Sequence, residues 1–301
     1  KKGEIMKEGR VVRTYGGYFF VYDFASEEVY QSKIRGRLKE KGIEVIVGDK
    51  VEFQELDDGT GMIEDRLERK NRLFRPLIAN VDQVIVTAAI KEPDLHFKLL
   101  DKLLVLAQAA ELDIVLCINK IDLSGLAAAK ERVHFYDEIG YRVLYTSAEE
   151  RRGIEDLKEA LKNKISVFAG PSGAGKSSLL NAVQPNLELQ TDDLSDKIKR
   201  GKHTTRYVKL LDLDHGGWVA DTPGFSRLDI SFIKPRNLQY FFIEFKDYLN
   251  ACKFNSCTHS HEPECKVKEA VSEGEISEER YQSYLQLLEE LEENDREDWR
   301  R

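Results

Sequence analysis

The hydrophobic positions along the chain follow two different periodicities. Within residues 1–70, short apolar runs separated by glycine-containing turns predict β-strands. Val51 and Phe53 alternate with polar neighbours, as a half-buried strand requires, and residues 45–47 predict another strand. About five short strands in this length predict a small barrel, for which an OB-fold is the natural candidate.

From about residue 71, predicted strands alternate with predicted helices. The apolar segments 81–90 and 113–118 predict buried strands, and residues 95–112 between them have helical spacing. Such alternation predicts a mostly parallel sheet with helices on both faces, which binds ligands at the carboxyl ends of its strands. After residue 231 the chain becomes charged and helical, with a helix predicted over 281–293.

A phosphate-binding loop follows the predicted strand 165–169. Its glycines let backbone N–H groups turn towards phosphate, and the helix that opens at Lys176 adds its dipole. Lys176 is expected to reach the β- and γ-phosphates, and the Ser177 hydroxyl to ligate Mg²⁺. The loop residues predicted to contact the nucleotide are Gly170, Pro171, Ser172, Gly173, Ala174, Gly175, Lys176, Ser177 and Ser178.

Two further motifs predict that the base is guanine. Asp122 can accept hydrogen bonds from N1–H and the exocyclic amine of guanine, which adenine cannot offer. Asn119 is expected to brace neighbouring loops, and the Lys120 stem to lie along the base. In the next strand–loop unit, Ser147 and Ala148 predict a backbone contact with the guanine O6.

The run that begins at Asp221 supplies the remaining parts of a GTPase site. Asp221 is expected to hold Mg²⁺ through water, and the Gly224 N–H to sense the γ-phosphate. Thr205, favoured over its neighbour Thr204, is expected to complete the magnesium shell. All of these motifs are present, but the base motifs precede the phosphate loop, so their order is cyclically rotated relative to an ordinary GTPase.

The residue that would orient the attacking water is not evident from the sequence. Phe225 stands where many GTPases carry glutamine, and its side chain cannot orient water. Intrinsic turnover is therefore expected to be slow and to depend on another group or a partner. The candidates nearby are His203 and His215, and we interpret His215 as the water-positioning residue.

Three of the four cysteines lie within fourteen residues of one another, together with a histidine. Three thiolates and one imidazole predict a closed, tetrahedral Zn²⁺ site rather than a disulfide framework. The predicted ligands are Cys252, Cys257, His259 and Cys265, with His261 as an alternative to His259. Cys117 lies in a predicted buried strand and is interpreted as a packing residue.

Composition and charge indicate where the protein acts and what it contacts. The 301 residues carry a net charge of −8, of which −7 falls within residues 268–301. The nearly neutral remainder has basic clusters around residues 33–41, 66–75 and 197–206, which are compatible with RNA contact. No apolar run approaches the ~20 residues that span a membrane, so a cytoplasmic location without membrane contact is expected. The chain is also expected to be a monomer.

With these motifs assembled, the chain resembles the circularly permuted, ribosome small subunit-dependent GTPases of the RsgA family. The resemblance implies GTP hydrolysis stimulated by the small ribosomal subunit, contact with its rRNA and a late role in its assembly, with other assembly factors as possible partners. It predicts three domains: an OB-fold RNA-binding domain over 1–70, a permuted GTPase domain over 71–228 and a helical zinc-binding domain over 229–301. The cofactors expected are GTP or GDP, Mg²⁺ and one Zn²⁺. Potassium dependence is not predicted, because Gly173 stands where potassium-activated GTPases tend to carry Asn.

Two other classes remain open from the residues alone. In a P-loop ATPase or small-molecule kinase, Asn119 and Asp122 would have no function. An RNA-binding scaffold with a structural guanine nucleotide would share the same motifs but would not turn the nucleotide over.

Overall fold

A computed structural model describes residues 6–74, 76–185, 187, 208–221 and 228–298. The chain divides into two compact units. The unit that we call the barrel unit comprises Lys1–Gln83, Leu157–Phe168 and Leu180–Ser226. The other, which we call the phosphate-loop unit, comprises Val84–Asp156, Ala169–Leu179 and Arg227–Arg301.

The N-terminal region forms a closed five-stranded barrel with the strand order β1-β2-β3-β5-β4, as predicted. Val51 and Phe53 are fully buried inside it, whereas Lys50 is exposed and Glu52 is half-buried. A short helix, α1, covers one end with Leu38. The bounds are β1 Met6–Tyr15, β2 Tyr18–Asp23, β3 Val29–Ile34, α1 Gly36–Glu40, β4 Lys50–Glu55 and β5 Gly61–Arg66.

Residues 45–47 are buried but do not form the predicted strand. The Ile46 N–H donates to the Asp49 carboxylate at 2.8 Å, and the Val47 carbonyl accepts from the Ala79 N–H at 2.9 Å. Arg69 binds the same Asp49 carboxylate through two nitrogens, at 2.6 and 2.8 Å. An apolar run can therefore be buried without pairing in a β-sheet when side chains and a neighbouring hairpin form hydrogen bonds with its backbone groups.

A six-stranded sheet has the order β10-β9-β8-β11-β13-β12. Strands β9 and β10 are parallel, as are β11 and β13, whereas β12 is antiparallel to β13, so the sheet is mostly parallel as predicted. A separate hairpin consists of β6 Arg72–Phe74 and β7 Leu77–Ala79. The other elements are β8 Gln83–Ala89, α2 Phe97–Ala109, β9 Asp113–Asn119, α3 Leu126–Glu138, β10 Arg142–Tyr145, α4 Ile154–Leu161, β11 Ile165–Ala169, α5 Lys176–Val183, β12 Leu210–Asp212 and β13 Trp218–Ala220.

The C-terminal region is built from helices and loops. Two 3₁₀ helices span Pro235–Phe241 and Ile243–Phe245, and α6 and α7 span Lys266–Ser272 and Glu278–Asp298. One stripe of α7 is buried with spacing of three and four residues, as an amphipathic helix requires: Tyr281, Tyr284, Leu288 and Leu291. None of the helices in the described ranges is long and apolar enough to cross a membrane.

A buried ion network joins α7 to α2 inside the phosphate-loop unit. The Arg280 guanidinium contacts Asp101 at 2.5 Å and binds both carboxylate oxygens of Glu244, at 2.6 and 2.9 Å. The Tyr136 hydroxyl donates to Asp101 at 2.6 Å. The side chains of Arg280, Asp101 and Glu244 are at most 4% exposed, so each charge depends on its partners rather than on water.

Candidate guanine-nucleotide site and metal centre

The phosphate loop begins directly after β11 and ends as α5 opens at Lys176. Gly170 and Gly175 have φ values of +153° and +90°, which glycine adopts without strain. Neither position has room for a side chain. A Cβ at Gly170 would lie 2.1 Å from the Thr87 carbonyl oxygen, and one at Gly175 would lie 2.2 Å from the Asn119 amide nitrogen. The glycines thus let the loop pack against β8 and the end of β9.

Lys176 and the two serines that follow it lie at the start of α5. The Lys176 ammonium donates to the carbonyls of Gly170 and Pro171, at 3.0 and 2.8 Å. Ser177 and Ser178 are exposed, as are Ser172 and Gly173, whereas Ala174 is buried. Exposed hydroxyls and an ammonium at a helix N-terminus are suited to binding an anion and its metal ion.

Asn119 connects the base motif to the phosphate loop. Its amide nitrogen donates to the Ala174 carbonyl at 2.9 Å, across a sequence separation of 55 residues. Its amide oxygen accepts from the Thr146 hydroxyl at 3.2 Å, and the side chain is buried. The three motif segments at Asn119, Thr146 and Ala174 are therefore in direct contact.

Asp122 lies in the short 3₁₀ helix Ile121–Leu123, which follows β9. The Ser147 hydroxyl donates to its carboxylate at 2.5 Å and accepts from the Glu150 N–H at 3.1 Å. Ala148 is half-buried in the turn that follows Ser147. The Asp122 carboxylate is thus oriented by the neighbouring motif.

Lys120 precedes Asp122 in a left-handed conformation, with φ of +63°. Its ammonium donates to the Glu92 carbonyl in the segment after β8. Residues 90–95 also approach the phosphate loop, because a Cβ at Gly173 would lie 3.3 Å from the Pro93 ring. The sequence motifs gave no signal for this contact segment.

Of the other three residues predicted to contact Mg²⁺ or the γ-phosphate, the structure describes Asp221 but not Thr205 or Gly224. Asp221 directly follows β13, is 8% exposed, and donates its backbone N–H to the Lys209 carbonyl at 2.8 Å. Thr205 and Gly224 lie outside the described residues, as do the alternatives Thr204 and His203 and the residue Phe225.

Near the C-terminus, the structure brings the four predicted zinc ligands together. One ligand atom from each of them lies within 4.8 Å of the others: Cys252, Cys257, His259 and Cys265. The His259 Nδ1 lies 3.6 Å from the Cys252 sulfur and 3.4 Å from the Cys265 sulfur. The alternative ligand, His261, is exposed and contacts the Ser260 hydroxyl at 3.0 Å instead.

Comparison with known proteins identifies the family. The family model described as RsgA GTPase matches residues 66–231, and the model described as RsgA N-terminal domain matches residues 8–63. The chain belongs to the RsgA GTPase family. It is 45% identical over 293 residues to the small ribosomal subunit biogenesis GTPase RsgA of Alkaliphilus metalliredigens, which covers 97% of this chain and 100% of that relative. A relative with the same name from Caldanaerobacter subterraneus is 45% identical over 290 residues, covering 96% of this chain and 97% of its own length.

Two solved structures are similar to this chain over most of its length. The crystal structure of YjeQ from Thermotoga maritima has a TM-score of 0.83 and 42% identity, covering 95% of this chain and 99% of that chain. YloQ, described as a circularly permuted GTPase, has a TM-score of 0.81 and 35% identity, covering 97% and 98%. The predicted permuted order is therefore confirmed, and this RsgA-family chain is a GTP hydrolase whose family implies GTP, GDP and Mg²⁺.

The interpretation of His215 as the water-positioning residue is wrong. His215 lies in the turn between β12 and β13, and the neighbouring Gly217 packs against the Leu161 and Lys164 carbonyls. Because β13 runs parallel to β11, with Trp218 opposite Ile165, this turn lies at the amino ends of the two strands. The phosphate loop follows the carboxyl end of β11, so His215 is a strand length away from it.

The Cys–His cluster of this RsgA-family chain fits a metal ion by its chemistry. Burial raises the pKa of the Cys257 thiol to about 12 and also raises the pKa of the Cys265 thiol. Burial lowers the pKa of His259, which favours the neutral imidazole that binds metals. Buried thiols become thiolates only where a cation compensates their charge, and Zn²⁺ with three sulfur ligands and one nitrogen does so.

Residues outside the four predicted ligands hold the cluster together. The hydroxyls of Tyr281 and Tyr284 on α7 donate to the carbonyls of His259 and Thr258, at 2.8 and 2.6 Å. The Gln239 amide oxygen accepts from the His259 Nε2 at 2.7 Å. The buried positions of the tyrosines were predictable from helical spacing, but the Gln239 contact had no signal in the sequence.

Proposed function

We propose that the chain binds GTP and GDP between its phosphate loop and its base loops. The observation that carries this proposal is the contact of the Asn119 amide with the Ala174 carbonyl, which brings the guanine motif to the phosphate loop. In this arrangement the Asp122 carboxylate accepts from guanine, and the backbone at Ser147 and Ala148 donates to the base oxygen. Lys120 covers one face of the base with its stem.

The phosphate end uses residues at the start of α5. Lys176 moves its ammonium from the loop carbonyls to the β- and γ-phosphates, and residues 170–178 surround the phosphates with N–H groups. From the sequence motifs, Ser177, Asp221 and Thr205 would hold Mg²⁺, and the Gly224 N–H would contact the γ-phosphate. Mg²⁺, when bound, neutralises charge that develops on the transferred phosphoryl group.

Among the residues that the structure describes, no side chain is assigned to position the attacking water. His215 lies in the turn before β13, at the amino ends of β11 and β13, and the Phe225 side chain has no polar atom. Hydrolysis is therefore slow in the isolated protein and is accelerated by a partner that completes the site.

The partner is the small ribosomal subunit, in keeping with the names of the relatives. The barrel offers a surface for its rRNA. Tyr15 is 62% exposed, and the Lys33 ammonium lies 5.3 Å from the centre of the Tyr18 ring. Exposed aromatic and cationic side chains bind single-stranded RNA by stacking and charge. Two further aromatic residues of the barrel pack against other side chains: Phe19 on the barrel core and Tyr22 edge-on against Trp218.

The Cys–His cluster binds one structural Zn²⁺ through Cys252, Cys257, His259 and Cys265. Its support is the convergence of four donors of the kind and number that Zn²⁺ prefers. The chain acts in the cytoplasm as a monomer with three functional domains, 1–70, 71–228 and 229–301, late in small-subunit assembly and together with other assembly factors.

The test is phosphate release from GTP by the purified protein alone, with small ribosomal subunits and with large subunits. Small subunits are expected to raise the rate by about 10³-fold or more, as GTPase-activating partners do, and large subunits to leave it near the basal rate. A Lys176→Met variant is the control, since it should lose hydrolysis in all three mixtures. Equal rates in the three mixtures would overturn the partner assignment, and absence of turnover in all three would favour an RNA-binding scaffold.

A further inference from the structure

Gln239 links a 3₁₀ helix to a metal-ligand histidine. It lies in the helix Pro235–Phe241, and its amide oxygen is 2.7 Å from the His259 Nε2. On the other side of the imidazole, Nδ1 faces the sulfurs of Cys252 and Cys265. The two ring nitrogens of His259 therefore have different partners, one an amide and the other the thiol cluster.

The orientation of the Gln239 amide is fixed by a second bond. Its Nε2 donates to the Arg236 carbonyl at 2.7 Å, and a carbonyl can only accept. The opposite end of the amide, Oε1, must then be the atom that meets His259. Since Oε1 is an acceptor, the His259 Nε2 must carry the proton.

A proton on Nε2 leaves the lone pair of a neutral imidazole on Nδ1. We propose that Gln239 is a positioning residue that fixes His259 in this tautomer and aims Nδ1 at the metal. The inference rests on the proposed zinc site and adds the residue that orients its nitrogen ligand. Outer partners of this kind are worth about 10- to 100-fold in metal affinity.

The surroundings of His259 leave few substitutes for this contact. The side chain is 1% exposed, and the Phe245 ring lies edge-on with its centre 5.8 Å away. The residue also has φ of +59°, and its carbonyl accepts from the Tyr281 hydroxyl at 2.8 Å. With backbone and ring faces enclosed, the Nε2–H has Gln239 as its acceptor.

A neutral amide also suits the charge of the site. Three thiolates around a divalent cation leave one net negative charge, which burial already penalises. A carboxylate in place of Gln239 would keep the acceptor but would add a second negative charge. Gln239 supplies the hydrogen bond without that charge.

The test compares zinc affinity and the His259 tautomer in variants of the full chain. Gln239→Leu keeps the approximate volume and removes the acceptor, so zinc affinity measured by chelator competition should fall about 10- to 100-fold. Gln239→Glu retains an acceptor but adds a negative charge, so it should restore only part of that loss. In long-range ¹H–¹⁵N spectra, His259 should be protonated on Nε2 in the parent protein and lose this single pattern in Gln239→Leu.

Controls separate this inference from the zinc site itself. Gln282→Leu removes an exposed glutamine that bonds to Glu278 in the same helix, and it should leave zinc affinity unchanged. GTP-analogue binding, measured for each variant, reports that the nucleotide site is folded. If the parent chain holds no zinc, the proposed zinc site is wrong. If the parent holds zinc and Gln239→Leu holds it as tightly, with Nε2 still protonated, the role of Gln239 is overturned while the zinc site stands.

Discussion

The guanine loops and the Cys–His cluster both gather polar side chains from short motifs, but they are built differently. Asn119 is the last residue of β9, and Ser147 follows β10, so a regular parallel ladder fixes both. All four residues of the Cys–His cluster lie outside helices and strands. Their positions depend instead on side-chain bonds from α7, from Gln239 and from within the loop.

This difference predicts different sensitivities. A pocket at the ends of a buried sheet keeps its shape without its ligand, because the sheet is stabilised by its own core. The Cys–His loop has no strand pairing of its own, so at the proposed zinc site the free energy of metal binding would order it. Changes in the cluster should therefore unfold it locally, whereas changes in the guanine loops should alter selectivity with little effect on folding.

The largest effect is expected from removing a metal ligand. Cys257→Ala should abolish zinc binding, which in small zinc modules supplies about 10–16 kcal/mol of apparent binding free energy. Metal analysis should find about one zinc per parent chain and none in the variant, and hydrogen exchange should rise over residues 252–265. Cys117→Ala is the matched control, since this buried cysteine contacts Thr146 and not the cluster. Retention of zinc by Cys257→Ala would contradict the ligand assignment.

The ion network under α7 should give the next largest effect. Arg280→Met would leave the buried carboxylates of Asp101 and Glu244 without their cation, at a cost of about 3–5 kcal/mol in the free energy of unfolding. Because the neighbouring Tyr281 holds a cluster carbonyl, exchange protection there should also fall. Arg296→Met, at an exposed pair with Glu292, should cost less than about 1 kcal/mol. Equal denaturation midpoints for the two variants would show that the buried network does not contribute to the free energy of unfolding.

Selectivity for the base should change without loss of folding. Asp122→Asn exchanges an acceptor for an amide that can donate, so GTP affinity should fall about 10²-fold and xanthosine triphosphate should become the better ligand. Calorimetric titration with both nucleotides measures the exchange, and the thermal midpoint should stay close to that of the parent. Asp156→Asn, at an exposed position of α4, should keep the original preference. Unchanged GTP affinity in Asp122→Asn would rule out this guanine pocket.

The smallest effect should come from a carboxylate in the cluster loop. Burial of Glu262 opposes its ionisation, but the N–H groups of Thr258 and Ser260 and the Thr258 hydroxyl donate to it and lower its pKa from 4.5 to about 2. A lowered pKa stabilises the fold above about pH 4.5, and that stability is lost as the pH falls towards about 2. Glu262→Gln should therefore cost about 1–2 kcal/mol at pH 7, after allowance for solvent screening, and less in acid.

Denaturant unfolding at several pH values checks this expectation. The gap between parent and Glu262→Gln should narrow as the pH falls. Glu264→Gln, in an exposed pair with Lys253, is the control and should cost under about 0.5 kcal/mol at each pH. A gap that stayed constant with pH would show that the Glu262 charge does not contribute.

The elements and their motifs were predictable because their signals are local. The alternation at Val51 and Phe53 predicted the barrel strand β4, and the helical spacing of Tyr284, Leu288 and Leu291 predicted α7. The strand predicted over residues 45–47 was wrong because an apolar run indicates burial only. Whether a buried run pairs in a β-sheet depends on which backbone lies beside it. The role predicted for His215 rested on its proximity in sequence to Asp221. Such proximity does not indicate at which end of a strand a residue lies.

The sequence by itself determined the family, the rotated order of the motifs and the residue types proposed to bind nucleotide and metal, since these follow from short patterns and from strand–loop–helix spacing. Only the tertiary structure decided that His259 rather than His261 joins the cysteines, that Gln239 meets the imidazole and that Asn119 reaches Ala174. Those contacts join segments that are distant in the chain or choose between neighbours in one loop. Local periodicity carries no information about either, because long-range packing sets which side chains meet.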